Sequence, residues 1–183
     1  MVNSYYKSDF RSGVSDGHIP SISTDIDSVR AFQFEVHFTG VPGGAEPRDL
    51  TLAAKKVSSV TMTSEDIVVD RVNDKTYYPG KVTPEEVTIT FDNIYLKNTD
   101  KKLWDLFTET YDPVTGHLGD ASDIKIGKVE VVLLDNRLEP HSVLSMYGAY
   151  AKKYALSELQ YSENQFNTIE VNFRFDYLDV TSN

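Results

Sequence analysis

The sequence predicts a mainly β protein, an antiparallel β-sandwich or partly closed barrel carrying one α-helix at about residues 100–111. Three observations carry this expectation. Residues that fit a pleated, half-buried surface are abundant: 11 Tyr and 9 Phe among 183 residues, with many Val and Thr. Apolar and polar residues alternate in short runs, most cleanly where Phe32, Phe34, Val36 and Phe38 interleave with Gln33, Glu35 and His37. Only one window has helical spacing.

Residues 1–30 mix Ser, Asp and Gly with scattered apolar positions and show neither period, so they read as an N-terminal arm ahead of a β domain over residues 31–183. The first strand, from Phe32, ends at Val41-Pro42-Gly43-Gly44. Strand patterns follow at about Leu50 to Thr63 and Ile67 to Val72. Asn73-Asp74-Lys75 and Pro79-Gly80 are turn chemistry, so Asp66 to Pro84 reads as a long polar hairpin or loop with little to bury. Val87, Ile89 and Phe91 alternate with Thr88, Thr90 and Asp92 as the next strand. The helix is capped by Thr99 or Asp100, carries Leu103, Trp104, Phe107 and Tyr111 on one stripe, and stops at Asp112-Pro113. After a Gly- and Asp-rich loop come strands at Lys128 to Leu134, about Ser142 to Tyr150, Leu156 to Tyr161 and Thr168 to Leu178. The last has Ile169, Val171, Phe173, Phe175 and Tyr177 on one face, with no Pro to blunt its edge.

Length and composition exclude several classes. A chain of 183 residues is the size of one domain and buries roughly 70% of its unfolded surface, so it needs no metal or disulfide staple. It has no Cys, which removes disulfides, thiolate metal sites and cysteine nucleophiles together. Its formal charge of −10 argues against a nucleic-acid-binding groove, which rests on Lys and Arg neutralising phosphates. No window approaches the ~18 apolar residues of a membrane span, and residues 1–30 lack the pattern of a signal peptide. No membrane partner and no cofactor is expected.

Enzyme motifs are absent. The four histidines, His18, His37, His117 and His141, have no partner at metal-binding spacing. Asp25/Asp27 and Asp120/Asp123 lack the Gly and distal Glu of a calcium loop. Glu85 and Glu86 are adjacent on a strand and so cannot converge on one substrate. Tyr77, Tyr78, Tyr147 and Tyr150 admit a different class of function, a carbohydrate-binding β-sandwich module, although tyrosines more often fill cores and subunit interfaces.

The order of these signals resembles the tail-tube (inner-tube) proteins of contractile-tailed bacteriophages. The stretch Asp70-Arg71-Val72-Asn73-Asp74-Lys75-Thr76-Tyr77-Tyr78-Pro79-Gly80-Lys81 before Val87 to Phe91 is similar to the family's loop-then-strand segment. So is Leu103 to Phe107 running into Tyr111-Asp112-Pro113-Val114-Thr115-Gly116. Val129 to Asp135, Gly148-Ala149-Tyr150, Leu159 to Ser162 and Val171 to Tyr177 complete a likeness that spans about Phe32 to Leu178. Ala151-Lys152-Lys153 departs from the family, where a Pro often follows the Gly-x-Tyr.

That resemblance implies a structural subunit and not an enzyme. Six copies would close into a ring, rings would stack into a hollow tube inside a contractile sheath, and DNA would pass through during ejection into the host. Val72, Asn73, Tyr77, Tyr78, Pro79 and Gly80 would form the ring-stacking loop, and Glu170 and Asp176 would face the lumen or the sheath. Implied partners are other copies of the chain, the sheath, baseplate or hub and tail-terminator proteins, and a tape-measure protein and DNA that pass through the lumen without specific binding. Assembly would occur in the bacterial host cytoplasm, ending in the virion tail. The alternative in the same architecture is the tube of a tailocin or type VI-like injection device.

Overall fold

Strict alternation becomes strand where the spacing predicts it, and the departures have local causes. The structure is a computed structural model that describes residues 29–112, 114–162 and 164–182. The expected arm therefore lies outside the described residues, apart from Val29 and Arg30. About half of the chain is strand and all pairings are antiparallel.

Strand β1 (Phe34–Thr39) buries Val36 and Phe38 and leads to a short 3-10 turn, Pro42–Gly44. The expected strand from Leu50 is instead a helix, α1 (Pro47–Ala53), followed by the short β2 (Ala54–Val57). Pro47 fits the first helical position because it has no N–H to leave unpaired. Leu50 and Ala53, three apart, turn one face inward. Two turns of helix are too short for the period to stand out in the sequence.

A hairpin of β3 (Met62–Asp70) and β4 (Lys75–Pro84) precedes β5 (Val87–Asp92). A 3-10 turn (Tyr95–Lys97) leads into α2 (Thr99–Thr108), which starts after Asn98 in the left-handed conformation at φ 48°. Leu103 and Leu106 are buried, while Trp104 is half exposed and packs edge-on against Tyr154. The helix ends three residues before the expected Tyr111, where the Thr108 hydroxyl donates to the Asp105 carbonyl. A single turn, α3 (Ala121–Ile124), leads into β6 (Ile126–Leu134). Among the described residues the chain thus carries three α-helices where one was expected.

Strand β7 (Pro140–Leu156) is one 17-residue element where two strands were expected. It runs through Lys152 and Lys153 because its pairing with β8 shifts register between Ala151 and Lys153, and both lysines stay exposed. The closing run is in turn two strands, β8 (Thr168–Arg174) and β9 (Tyr177–Ser182). After Phe175 the chain turns, the Asp176 N–H donates to the Tyr147 carbonyl, and parity slips by one. Tyr177 is therefore exposed and stacked on Tyr147 at 4.5 Å, while Leu178 takes the core side.

Strand order is β1-β6-β7-β8-β5-β2, with β9 added beside β7. The first half of β7 lies between β6 and β9, and its second half pairs with β8. It changes layer at Gly148, whose φ of 64° favours glycine and where a Cβ would sit 2.3 Å from an Asp176 carboxylate oxygen. β1 and β2 do not pair, so the sheet folds into two layers without closing. Phe38 of one layer meets Phe91 and Phe173 of the other with ring centroids 6.0 and 6.3 Å away.

Asp49 of α1 is buried and accepts from Lys102 of α2 and from Lys97 at 2.9 Å, which ties the two helices together. Those hydrogen bonds, Lys102 first, hold its carboxyl below the ordinary 3.8.

Two outcomes follow from this packing. Phe91→Ala and Phe173→Ala each cost about 3–5 kcal/mol in urea unfolding, the range for emptying a phenylalanine site. Because the Asp49 pKa is depressed in the folded state, its contribution is present above pH 3.8 and is lost as pH falls below that value. Asp49→Asn is therefore less stable than the natural chain at pH 7, and the difference shrinks by pH 3; equal differences at both pH values contradict the assignment.

Candidate assembly surfaces

The hairpin's residues decide its shape before anything docks on it. Asp70 and Lys75 close the tip with an ion pair of 3.2 Å, and the Arg71 N–H donates to the Asp74 carbonyl at 2.8 Å. Val68 pairs with Tyr77, Ile67 with Tyr78 and Asp66 with Pro79. Between Ser64 and Asp66 the register shifts. Gly80 sits at this bulge, where a Cβ would lie 2.6 Å from the Glu65 carbonyl oxygen, a backbone atom that cannot swing away.

Beyond its own two strands the hairpin touches little, and every residue of β3 is exposed. Its base is tied by the Glu85 N–H to the Thr61 carbonyl and by the Thr63 hydroxyl to the Glu85 carboxylate, at 3.0 and 2.6 Å. Of the residues expected in a stacking loop, Val72 and Asn73 lie at the tip and Val72 is 99% exposed. Tyr77, Tyr78, Pro79 and Gly80 lie along β4, so the expected loop is a regular strand pair that begins earlier, at Met62. The sequence reading passed over Met62, Val68 and Val82, which belong to the same surface. For Val68 the signal was the unbroken apolar run Ile67-Val68-Val69; Met62 and Val82, set among polar neighbours, carried none.

Open strand edges form the second surface. Among the described residues, β1 pairs only with β6, β2 only with β5, β9 only with β7, and the second half of β7 only with β8. β8 was expected to present an edge, but it is paired on both sides. That edge passes to β9.

On the two-layer body several charges are paired. Glu86 accepts from Lys152, with Arg174 at 3.8 Å, and Lys55 donates to Asp92 at 3.1 Å. The Lys152 bond holds the Glu86 carboxyl below its ordinary value. Glu170 is exposed on β8, and Asp176 takes the ammonium of Lys125 at the layer-changing corner. His37 bonds Glu35 at the surface, and no group of three or more metal-type side chains gathers among the described residues. His18, Asp25 and Asp27 lie outside the described residues. Tyr77 and Tyr78 face opposite ways on β4 and Tyr147 is stacked on Tyr177, so the four tyrosines do not share one platform.

No protein-family model and no curated protein matches the chain. Solved structures do. A chain of the PVC sheath–tube complex, an extracellular contractile injection system in its extended state, is 14% identical over 88% of this chain and 99% of that chain, with a TM-score of 0.66. A chain of the tube-terminating cap of the anti-feeding prophage (AFP) is 12% identical over 89% and 100%, at 0.64. The fold is one that contractile injection systems use. A chain of the gene transfer agent virion is more distant, 9% identical over 85% and 100%, at 0.50.

Gly80→Ala isolates the hairpin from the body. The backbone of Glu65 must move to admit a methyl, so amide hydrogen exchange quickens across residues 64–82 while β5 and β8 keep their protection. Uniform protection in both segments would show that the bulge tolerates a side chain.

Proposed function

We propose that this chain is a structural subunit of a contractile tail's inner tube, in which six copies close a ring and rings stack into a hollow tube within a sheath. One observation carries the reading: the hairpin is a well-formed strand pair with almost nothing to pack on in its own subunit. A lone two-stranded hairpin is marginal in water. This one holds exposed Tyr77, Tyr78, Ile67 and Val68 that a neighbouring subunit would cover. The open edges of β1, β2 and β9 add a second support, since ring closure pairs edges that would otherwise invite uncontrolled association. The fold shared with the PVC sheath–tube complex is a third.

The same reading makes the subunit non-catalytic and its partners the sheath, the baseplate or hub, and the terminator, with the tube located in the tail of the particle. With a formal charge of −10 the chain conducts DNA by repelling it. A second reading, the tube of a device that carries no genome, is favoured by the likeness to PVC and AFP, whose TM-scores of 0.66 and 0.64 exceed that of the gene transfer agent.

Sedimentation and electron microscopy of the purified chain test the assembly. Six-fold rings or tubes are the expected result, and a monomer at all concentrations contradicts it. Deleting Asn73 to Thr76 leaves the circular dichroism of the body in place but stops tube growth. Assembled tubes retain no duplex DNA in a shift assay at physiological salt, where screening acts over about 8 Å. Tubes that hold DNA would overturn passage by repulsion.

A further inference from the structure

Consecutive residues of a strand face opposite ways, so a hairpin with one wet face alternates apolar and polar side chains. A strand covered on both faces reads instead as a continuous apolar run. Ile67-Val68-Val69, set against Tyr78 and Tyr77, is such a run. Register sorts these side chains: Ile67, Val69 and Tyr78 share one face, while Val68 and Tyr77 share the other with Pro79. All the apolar side chains of the hairpin strands named here other than Pro79 are between 43% and 62% exposed, on both faces alike.

We propose that the hairpin is an inner layer of the assembly, covered on both faces by other copies of this chain. The inference rests on the tube reading above and adds that one hairpin is clamped between two partner surfaces. Placement on β5 argues for copies as the occupants. The hairpin enters β5 at Val87, whereas Tyr95 and Leu96, 84% and 83% exposed, follow its far end at Asp92. The Asn93 N–H donates to the Asn167 carbonyl, which brings exposed Phe166 and its loop to that far end. Apolar surfaces at opposite ends of one strand cannot meet within a subunit, but they meet between copies stacked head to tail. Charge argues against other occupants. Between Met62 and Pro84 four carboxylates face three cations, so the hairpin has no strong sign to attract a nucleic acid or an anionic membrane.

The absence of native cysteine makes the test direct. Tyr77→Cys and Tyr78→Cys place one thiol on each face, and each variant is co-assembled with a tenfold excess of the natural chain, with no other protein present. Maleimide labels both thiols quickly in the dilute, dispersed subunit. In tubes, both labelling rates fall tenfold or more, or both variants are excluded from the tubes. A thiol that enters tubes and labels there as fast as in the free subunit leaves one face open and overturns the two-faced layer while the tube reading stands. A natural chain that never assembles removes both.

Discussion

The two layers of the body are joined through β7. It bonds β6 and β9 with its first half and β8 with its second, while β1 hangs from β6, β5 from β8 and β2 from β5. A strand of 17 residues spans roughly 55 Å when straight, which is longer than a small body can use in one plane. It must therefore bend, and the bend at Gly148 is matched by the break between β8 and β9 at Asp176. The two turns meet: the Asp176 N–H bonds Tyr147, and its carboxylate fills the space that a side chain at position 148 would need. Because both strands change layer at one point, Phe38 can reach Phe91 and Phe173 across the interior.

Two kinds of stability coexist in the chain. In the body, buried area and aromatic contacts reinforce one another, so a single truncation is felt throughout. The hairpin depends on its own ladder, a tip ion pair and a bulge that only glycine fits without moving the Glu65 backbone. It can therefore change order or direction at little cost to the body. On the proposed assembly such a subunit would fold first, and its hairpin would gain its packing from neighbouring copies.

The sequence carried the strands with one wet face most clearly. In β5, Val87, Ile89 and Phe91 are buried and their neighbours are not, as alternation requires. Helix α2 was legible from Leu103 and Phe107. Helix α1 was hidden because two turns offer only Leu50 and Ala53 as a period, and the β8–β9 break was hidden because Phe175 to Tyr177 keeps alternating through a corner. The corner leaves a single local mark, Gly148, and the β7 register shift leaves none. Each exists because of a residue distant in sequence, Asp176 for Gly148 and the β8 register for Lys152. The hairpin's location was legible from its turn residues and part of its first strand from Ile67 to Val72, but the extent of β3 and the strand character of β4 were not, since exposed strands lack the burial contrast on which the pattern depends.

Polarity is the property that joins these features. The hairpin leaves the body at one end of β5 and exposed Tyr95 and Leu96 lie beyond the other, so the subunit has two different ends. Identical contacts made head to tail propagate without closing, unlike an isologous pair, which consumes both surfaces in a dimer. Lateral edges behave differently, because edge strands can close a ring and then no edge is left. On the proposed assembly, growth along one axis and closure around it would thus be separate physical events, the first driven by apolar burial at the ends and the second by backbone hydrogen bonds at the sides. A change confined to the hairpin should arrest the first and leave the second intact.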